Sequence, residues 1–161
     1  MRIAIIADCI DDQYAGNYVY AEELIRALER NKGHHNILYV HMRRNSFFDA
    51  LPHIIVPLKS RVPFWASFRK FMWIPRVLKK LDPDIVHDLA HIAPFAFSGN
   101  SFKKVVTIHD LTPVLFPQFH IRGSTLAHRV LLPLIFKRAD LVIADSACTK
   151  RDILTHYSTK A

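Results

Sequence analysis

Cysteine is nearly missing from this chain of 161 residues: Cys9 and Cys148 are its only two. Two thiols make no disulfide framework, and neither stands at metal-ligand spacing from a partner. Glycine is scarce as well, at four residues, and Gly/Ser linkers, repeats and low-complexity tracts are absent. No apolar run reaches the roughly 18 residues that a membrane-spanning helix needs. The opening MRIAIIAD meets Asp8 after a short apolar stretch with no cleavage-site pattern, so it reads as a core strand rather than a signal peptide. Acidic residues are in the minority, 14 against 22 Lys+Arg, for a net charge of +8. That excess suits anionic partners or simple solubility. The basic residues scatter along the chain without a nucleic-acid-binding motif, so nucleic acid is not an expected partner. The expectation is one reduced, cytoplasmic domain over 1–161 with no internal boundary.

Apolar strands alternate with helical segments. RIAIIAD (Arg2–Asp8) is followed by a helix over Tyr18–Gly33, in which Leu24, Ile25 and Leu28 share a face and Gly33 suits the stop. ILYVHM (Ile37–Met42) and HIIVPL (His53–Leu58) are further strands, and Phe64–Leu81 reads as a helix with Pro75 marking a kink or a new start. DIVHD (Asp84–Asp88), KVVTIHD (Lys104–Asp110) and DLVIADS (Asp140–Ser146) complete the strands, with helices over Ser124–Arg138 and Ala147–Tyr157. This alternation predicts an α/β fold: a doubly wound, Rossmann-like parallel sheet with helices on both faces. Ligands of such sheets bind beyond the carboxyl ends of the strands, near the switch in strand order.

That rule gathers the candidate site. Asp8 and the loop CIDDQYAGN follow the first strand; His87, Asp88 and His91 follow DIVH; His109 and Asp110 follow VVTI; Ser146 follows DLVIAD. Polar strand ends also serve as helix caps, which accounts for Asp145 and Ser146. Capping accounts poorly for two strands that end in histidine. His87 and His91 stand in a His-x3-His pattern, but no third ligand accompanies them and no metal site is expected.

Four stretches carry a family resemblance: YAEELIRAL after a glycine-bearing loop, PDIVHDLAHIAPF, VVTIHDLTPVLFPQFH and RADLVIADSACTKRDILTHY. In this order and spacing, from Met1 to about Tyr157, the chain resembles the N-terminal domain of family-4 glycosyltransferases, retaining enzymes of the GT-B fold. The resemblance implies transfer of a sugar from a nucleotide-diphosphate sugar to the hydroxyl of a glycan or lipid-linked acceptor, with no cofactor and no metal. It implies that this is the acceptor-side domain, and that a C-terminal donor-binding domain, absent from this sequence, completes the enzyme in cis or in trans. Little or no transfer is expected from the chain alone. A non-catalytic subunit or scaffold, pairing with a separate donor-binding chain, is the alternative.

By the same resemblance His109 lies near the donor sugar and diphosphate, with Asp110 fixing its tautomer or capping the turn. Gly16 and Asn17 belong to the loop that approaches the donor phosphates. Here the chain departs from the family: Tyr18 stands where a second glycine is common, and Val19 where arginine is frequent. Asp8, His87, Asp88, His91 and Ser146 face the acceptor cleft, with Ser146 also suited to cap the helix that Lys150 and Arg151 continue.

The stretch RVPFWASFRKFMWIPRVLKKL interleaves aromatic and basic residues. Two readings stand for it. It packs an apolar face on the sheet, or it lies on the inner face of a membrane through Trp65, Arg69, Lys70 and Trp73.

Overall fold

RIAII, the first apolar run, becomes an inner strand of a six-stranded parallel sheet. The computed structural model describes residues 1–13, 15–58, 65–97 and 102–157. Tyr14 of the glycine-bearing loop and Arg61–Phe64 of the basic aromatic stretch lie outside the described residues. The strands are β1 (Arg2–Ile6), β2 (Asn36–His41), β3 (His53–Ile55), β4 (Ile85–Asp88), β5 (Lys103–Ile108) and β6 (Leu141–Ala144). Their order is β3-β2-β1-β4-β5-β6, every pair parallel. The chain builds outward from β1 to β3 and then returns to the other side of β1. The order therefore reverses between β1 and β4, and a crevice opens at their carboxyl ends.

The period-two pattern of the strands sorts their side chains between two cores. Ile5 and Tyr39 pack with Ala21 and Ile25 of α2 (Ala15–Asn31). Ala4, Ile6, Val40, Val86, Val106 and Ile108 face the other way. They meet Ile74 and Leu78 of α4 (Ile74–Leu81) and Leu132, Ile135 and Phe136 of α6 (Arg122–Arg138). Each Val, Ile, Leu or Phe among them, fully removed from water, contributes about 1.5–3 kcal/mol, so both faces of the sheet are held apolar and covered.

Three local differences from the sequence reading bear on the site. The loop CIDDQYAGN is largely helical: α1 (Asp8–Asp12) follows β1 at once, and α2 begins at Ala15, ahead of Tyr18. Asp11 of α1 is buried and clamps the exit of β2, accepting from Met42 N–H at 2.8 Å, Arg43 N–H at 3.0 Å and Asn45 Nδ2 at 3.1 Å, with His41 Nδ1 at 3.1 Å. Burial opposes its charge, but these donors outweigh it and hold its carboxyl below the usual range.

The helix around Pro75 is composite. Trp65–Phe68 (α3) is α-helical, Arg69–Trp73 is a π turn, and α4 starts at Ile74 with Pro75 in its first turn. Proline lacks an N–H and its ring crowds the carbonyl four residues back, so an ordinary α turn cannot run through it. The wider turn accommodates that fault, which makes Pro75 a new start. Beyond β5 lie a short α5 (Thr112–Leu115) and a 3-10 turn (Pro117–Phe119); α7 (Ala147–His156) follows β6. No helix among the described residues is long and apolar enough to cross a membrane.

Candidate functional site

A cleft of about 490 Å³ opens at the reversal in strand order. α1 and Asn17 of α2 form one wall, the π turn a second, Ala90–Ile92 a third, and α6 closes it with Ala127, His128 and Leu131.

Its floor is a network of four charges. Arg69 grips Asp8 with two guanidinium nitrogens, Nη1 to Oδ2 at 2.6 Å and Nη2 to Oδ1 at 2.7 Å, while its Nε donates to the Val56 carbonyl. Lys70 Nζ meets Asp88 Oδ2 at 2.9 Å and lies 4.0 Å from Asp8. Arg69 and Asp88 are almost wholly buried, at 3% and 1% exposed. Burial pushes the Asp88 carboxyl up to about 6 even though Lys70 works against the rise. Burial also opposes the Lys70 charge, but the Asp88 and Asp8 carboxylates outweigh it and raise the ammonium above its usual value. Two cations and two carboxylates thus balance within the floor.

Beside the floor lies a histidine cluster. His109 Nδ1 is 2.9 Å from Asp145 Oδ2, and its Nε2 is 2.9 Å from the Leu89 carbonyl. Both partners are acceptors, so the ring is held between a carboxylate and a carbonyl. The carbonyl of His109 accepts from Thr149 Oγ1 at 2.7 Å, and the edge-on Tyr20 ring is 5.0 Å away. The backbone N–H of His109 donates to His91 Nε2 at 3.2 Å. Burial pulls His91 down to about 4, so at neutral pH it is uncharged and carries its hydrogen on Nδ1. His91 lines the cleft, and the His128 ring stands 5.8 Å from it.

Residues 16–161 match the sequence model of Glycosyltransferase Family 4. The chain belongs to that family. An uncharacterized glycosyltransferase of Methanocaldococcus jannaschii is 28% identical over 156 residues, covering 91% of this chain and 37% of its own length. The chain thus spans little more than a third of that curated relative. Two solved structures share the fold over 99% of this chain and 45% of theirs. One is the UDP-GlcNAc 2-epimerase of Methanocaldococcus jannaschii, with a TM-score of 0.59 at 14% identity. The other is the lipopolysaccharide outer core galactosyltransferase WaaB in its apo form, at 0.58 and 17%.

In this family-4 domain the strand ends that carry Asp8, Asp88, His109 and Ser146 follow one another along a single rim, in the spatial order β1, β4, β5, β6. Their side chains divide. Asp8, Asn17 and His91 line the cleft. Asp88 lies beneath Lys70. His87 is inside β4, its Nε2 bonded to Thr107 Oγ1 at 2.9 Å, and burial lowers it to about 4. His109 sits behind His91. Ser146 caps α7, accepting from Thr149 N–H at 3.0 Å. Gly16 lies in the first turn of α2 rather than in a loop, with open space where a Cβ would project.

Asp110 does not touch the His109 ring; its Oδ1 accepts from Thr112 N–H at 2.8 Å and Thr112 Oγ1 at 2.6 Å. Burial opposes its charge, but the Thr112 bonds prevail and its carboxyl is lowered. Asp145, read as a cap, is the partner of His109. The four residues of the basic aromatic helix named for membrane contact each have a place within the protein. Arg69 and Lys70 point into the cleft, Trp65 Nε1 donates to the Pro57 carbonyl at 3.1 Å, and Trp73 packs on the core against the Trp65 ring. Nothing in the residue order marks their direction, because aromatic and basic residues at helical spacing look the same whichever way they face. Among the described residues no group of three or more His, Cys, Asp or Glu is arranged to hold a metal.

Proposed function

We propose that this chain is the N-terminal, acceptor-side domain of a retaining glycosyltransferase that moves a hexose from a nucleotide-diphosphate sugar to an acceptor hydroxyl in glycan or glycolipid synthesis. Family membership supports the transferase class. The observation that carries the finer reading is the cleft at the β1–β4 reversal, with a charge-balanced floor and a histidine cluster at its side.

In this reading each group has a task. His109, held by Asp145, stands behind the cleft wall on the side where the donor diphosphate departs in this reading. Backbone N–H groups at Gly16 and Asn17 open the 17-residue α2, and such a terminus favours phosphate. Asp8 and the Nδ1–H of His91 offer an acceptor and a donor for sugar or polyol hydroxyls. The floor carries no surplus charge, which suits a neutral hydroxyl-bearing acceptor at that point. The donor sugar, its nucleotide and the stereochemical course are assigned through the family, and a donor-binding domain opposite the cleft is part of the same proposal.

The test is a titration of the isotopically labelled chain, followed by NMR. Glycan and polyol acceptors are expected to shift the amides of Asp8, Lys70 and His91 saturably, and nucleotide-sugars those of Gly16 and Asn17. Cleft amides unmoved by every acceptor at millimolar concentration would sink the acceptor-side assignment. Transfer itself is read as acceptor-dependent release of nucleoside diphosphate from UDP-, GDP- and ADP-sugars, with this chain alone and joined to a donor-binding domain.

A further inference from the structure

Two imidazoles reach the cleft from different walls. His91 belongs to the wall Ala90–Ile92, and His128 to the edge of α6 that carries Ala127 and Leu131. Their ring centres are 5.8 Å apart and the rings meet edge to face, at 83°.

Each ring is bonded to the protein at one nitrogen, and that bond decides what the other nitrogen offers. His91 Nε2 accepts from the His109 N–H at 3.2 Å, so its hydrogen is on Nδ1. His128 Nδ1 is 2.8 Å from the Ser124 carbonyl, with the Ser124 hydroxyl at 3.5 Å. A carbonyl only accepts, so this Nδ1 carries the hydrogen, and in the neutral ring Nε2 keeps a lone pair. Neither His91 Nδ1 nor His128 Nε2 has a hydrogen-bond partner among the described residues.

The cleft therefore holds one oriented donor and one oriented acceptor side by side. A hydroxyl answers both, because its oxygen accepts and its hydrogen donates. An oxygen bonded on two sides reaches about 2.8 Å each way, so rings 5.8 Å apart are close enough to share one. Other substituents answer only half. Ether, carboxylate and phosphate oxygens accept from His91 but bring no hydrogen to His128, and an ammonium donates but has no lone pair for His91. Ile92, Ala127 and Leu131, beside the two rings, give the attached carbon skeleton an apolar seat.

We propose that His91 and His128 form a hydroxyl-selecting subsite, which takes a neutral hydroxyl that accepts from His91 Nδ1–H and donates to His128 Nε2, and refuses an ether, an ammonium, a carboxylate or a phosphate at that point. His128 is then the residue of α6 that determines which substituent is admitted and where its hydrogen points. The subsite rests on the acceptor-side reading of the cleft, and its test separates the two.

The probes are the methyl glycosides of glucose, galactose, mannose and N-acetylglucosamine, each beside its fully O-methylated form. They are titrated to millimolar concentration into the labelled full chain at pH 8, above the range in which imidazoles ordinarily gain a proton. Cleft amides and histidine ring ¹⁵N shifts are followed together by NMR. At least one glycoside is expected to move the amides of Asp8 and Lys70 and the His128 Nε2 resonance along one saturable curve. Its O-methylated form is expected to bind about fivefold more weakly or worse, the worth of one neutral hydrogen bond. His128→Phe keeps a ring but no acceptor, and is expected to bring that preference down to about twofold or less. His128→Gln, whose side-chain carbonyl accepts, is expected to retain it; a merely structural role would weaken both probes alike and leave the preference unchanged. His34→Phe, an exposed histidine that does not line the cleft, is expected to change nothing. Circular dichroism confirms that each variant is folded. Cleft amides unmoved by all four glycosides would overturn both readings. Cleft amides that move while His128 Nε2 stays still, or an undiminished preference in His128→Phe, would overturn the subsite alone.

Discussion

Asp145 Oδ2 lies 2.9 Å from His109 Nδ1, joining the end of β6 to the end of β5 across 36 residues of sequence. The histidine that follows β5 is therefore oriented by the neighbouring strand, not by the aspartate beside it. Asp145→Asn keeps the shape and removes the charge. The expected result is a loss of about 1–2 kcal/mol in urea denaturation. The ring NMR shifts of His109 should also move, because Asp145 is the partner of its Nδ1. Unchanged ring shifts would show that Asp145 does not hold that imidazole.

Arg69 and Asp8 form the most buried two-pronged contact of the cleft. Arg69→Met leaves Asp8 facing Lys70 alone and should cost about 3 kcal/mol. Adding Asp8→Asn should restore part of that stability, because the unpaired charge is gone. A double-mutant cycle by thermal or urea unfolding is expected to give a coupling of at least about 1 kcal/mol. Strict additivity would mean that the pair is decorative.

Acid should weaken the fold in a defined window. Unfolded, His87 and His91 take up protons near pH 6.5; folded, burial delays uptake until about 4. Their contribution is complete above pH 6.5 and is lost as pH falls toward 4, on the order of 2–3 kcal/mol for each. Asp88 works in the opposite sense. Its folded carboxyl, raised to about 6 from 3.8, takes a proton first and adds stability as pH falls through that range. Two histidines outweigh one carboxyl, so urea midpoints should drop between pH 7 and 4.5. His87→Gln should flatten the drop; an unaltered slope would contradict the burial of that ring.

Gly16→Ala separates a helix position from a ligand position. Open space surrounds the site of the added methyl, so helix propensity should raise stability by about 0.5–1 kcal/mol. If a donor phosphate approaches this backbone, the same methyl weakens nucleotide-sugar binding measured by calorimetry. Higher stability with unchanged binding would remove Gly16 from the phosphate site.

The two thiols should differ sharply toward alkylating reagents. Cys148 is exposed, whereas burial beside Asp88 and Asp8 pushes Cys9 up to about 12. Iodoacetamide at pH 8 should modify Cys148 and spare Cys9, as read by peptide mass. Rapid labelling at both positions would mean that the cleft floor opens.

Periodicity made the framework legible. All six strands, the long helices and the rim of polar residues follow from apolar runs and their spacing, because burial on both faces of a parallel sheet leaves that imprint. Short elements left none. α1 spans five residues with no apolar repeat, and α5 has only four, one of them Pro113. Strand β3 ends at Ile55 although apolar residues continue to Leu58, since hydrophobicity alone does not reveal where a ladder stops. Pairings across the chain were equally hidden. Arg69 finds Asp8 61 positions away, and nothing local to either marks the other.

The π turn at Arg69–Trp73 gives the cleft a dependence on winding phase. Such a turn holds one residue more than the α turn it replaces, and each residue advances a helix by about 100°. Deleting a single residue inside it would let the segment rewind and swing the guanidinium and ammonium groups around the helix axis, away from Asp8 and Asp88. The electrical neutrality of the floor thus rests on a count of residues as much as on their kind.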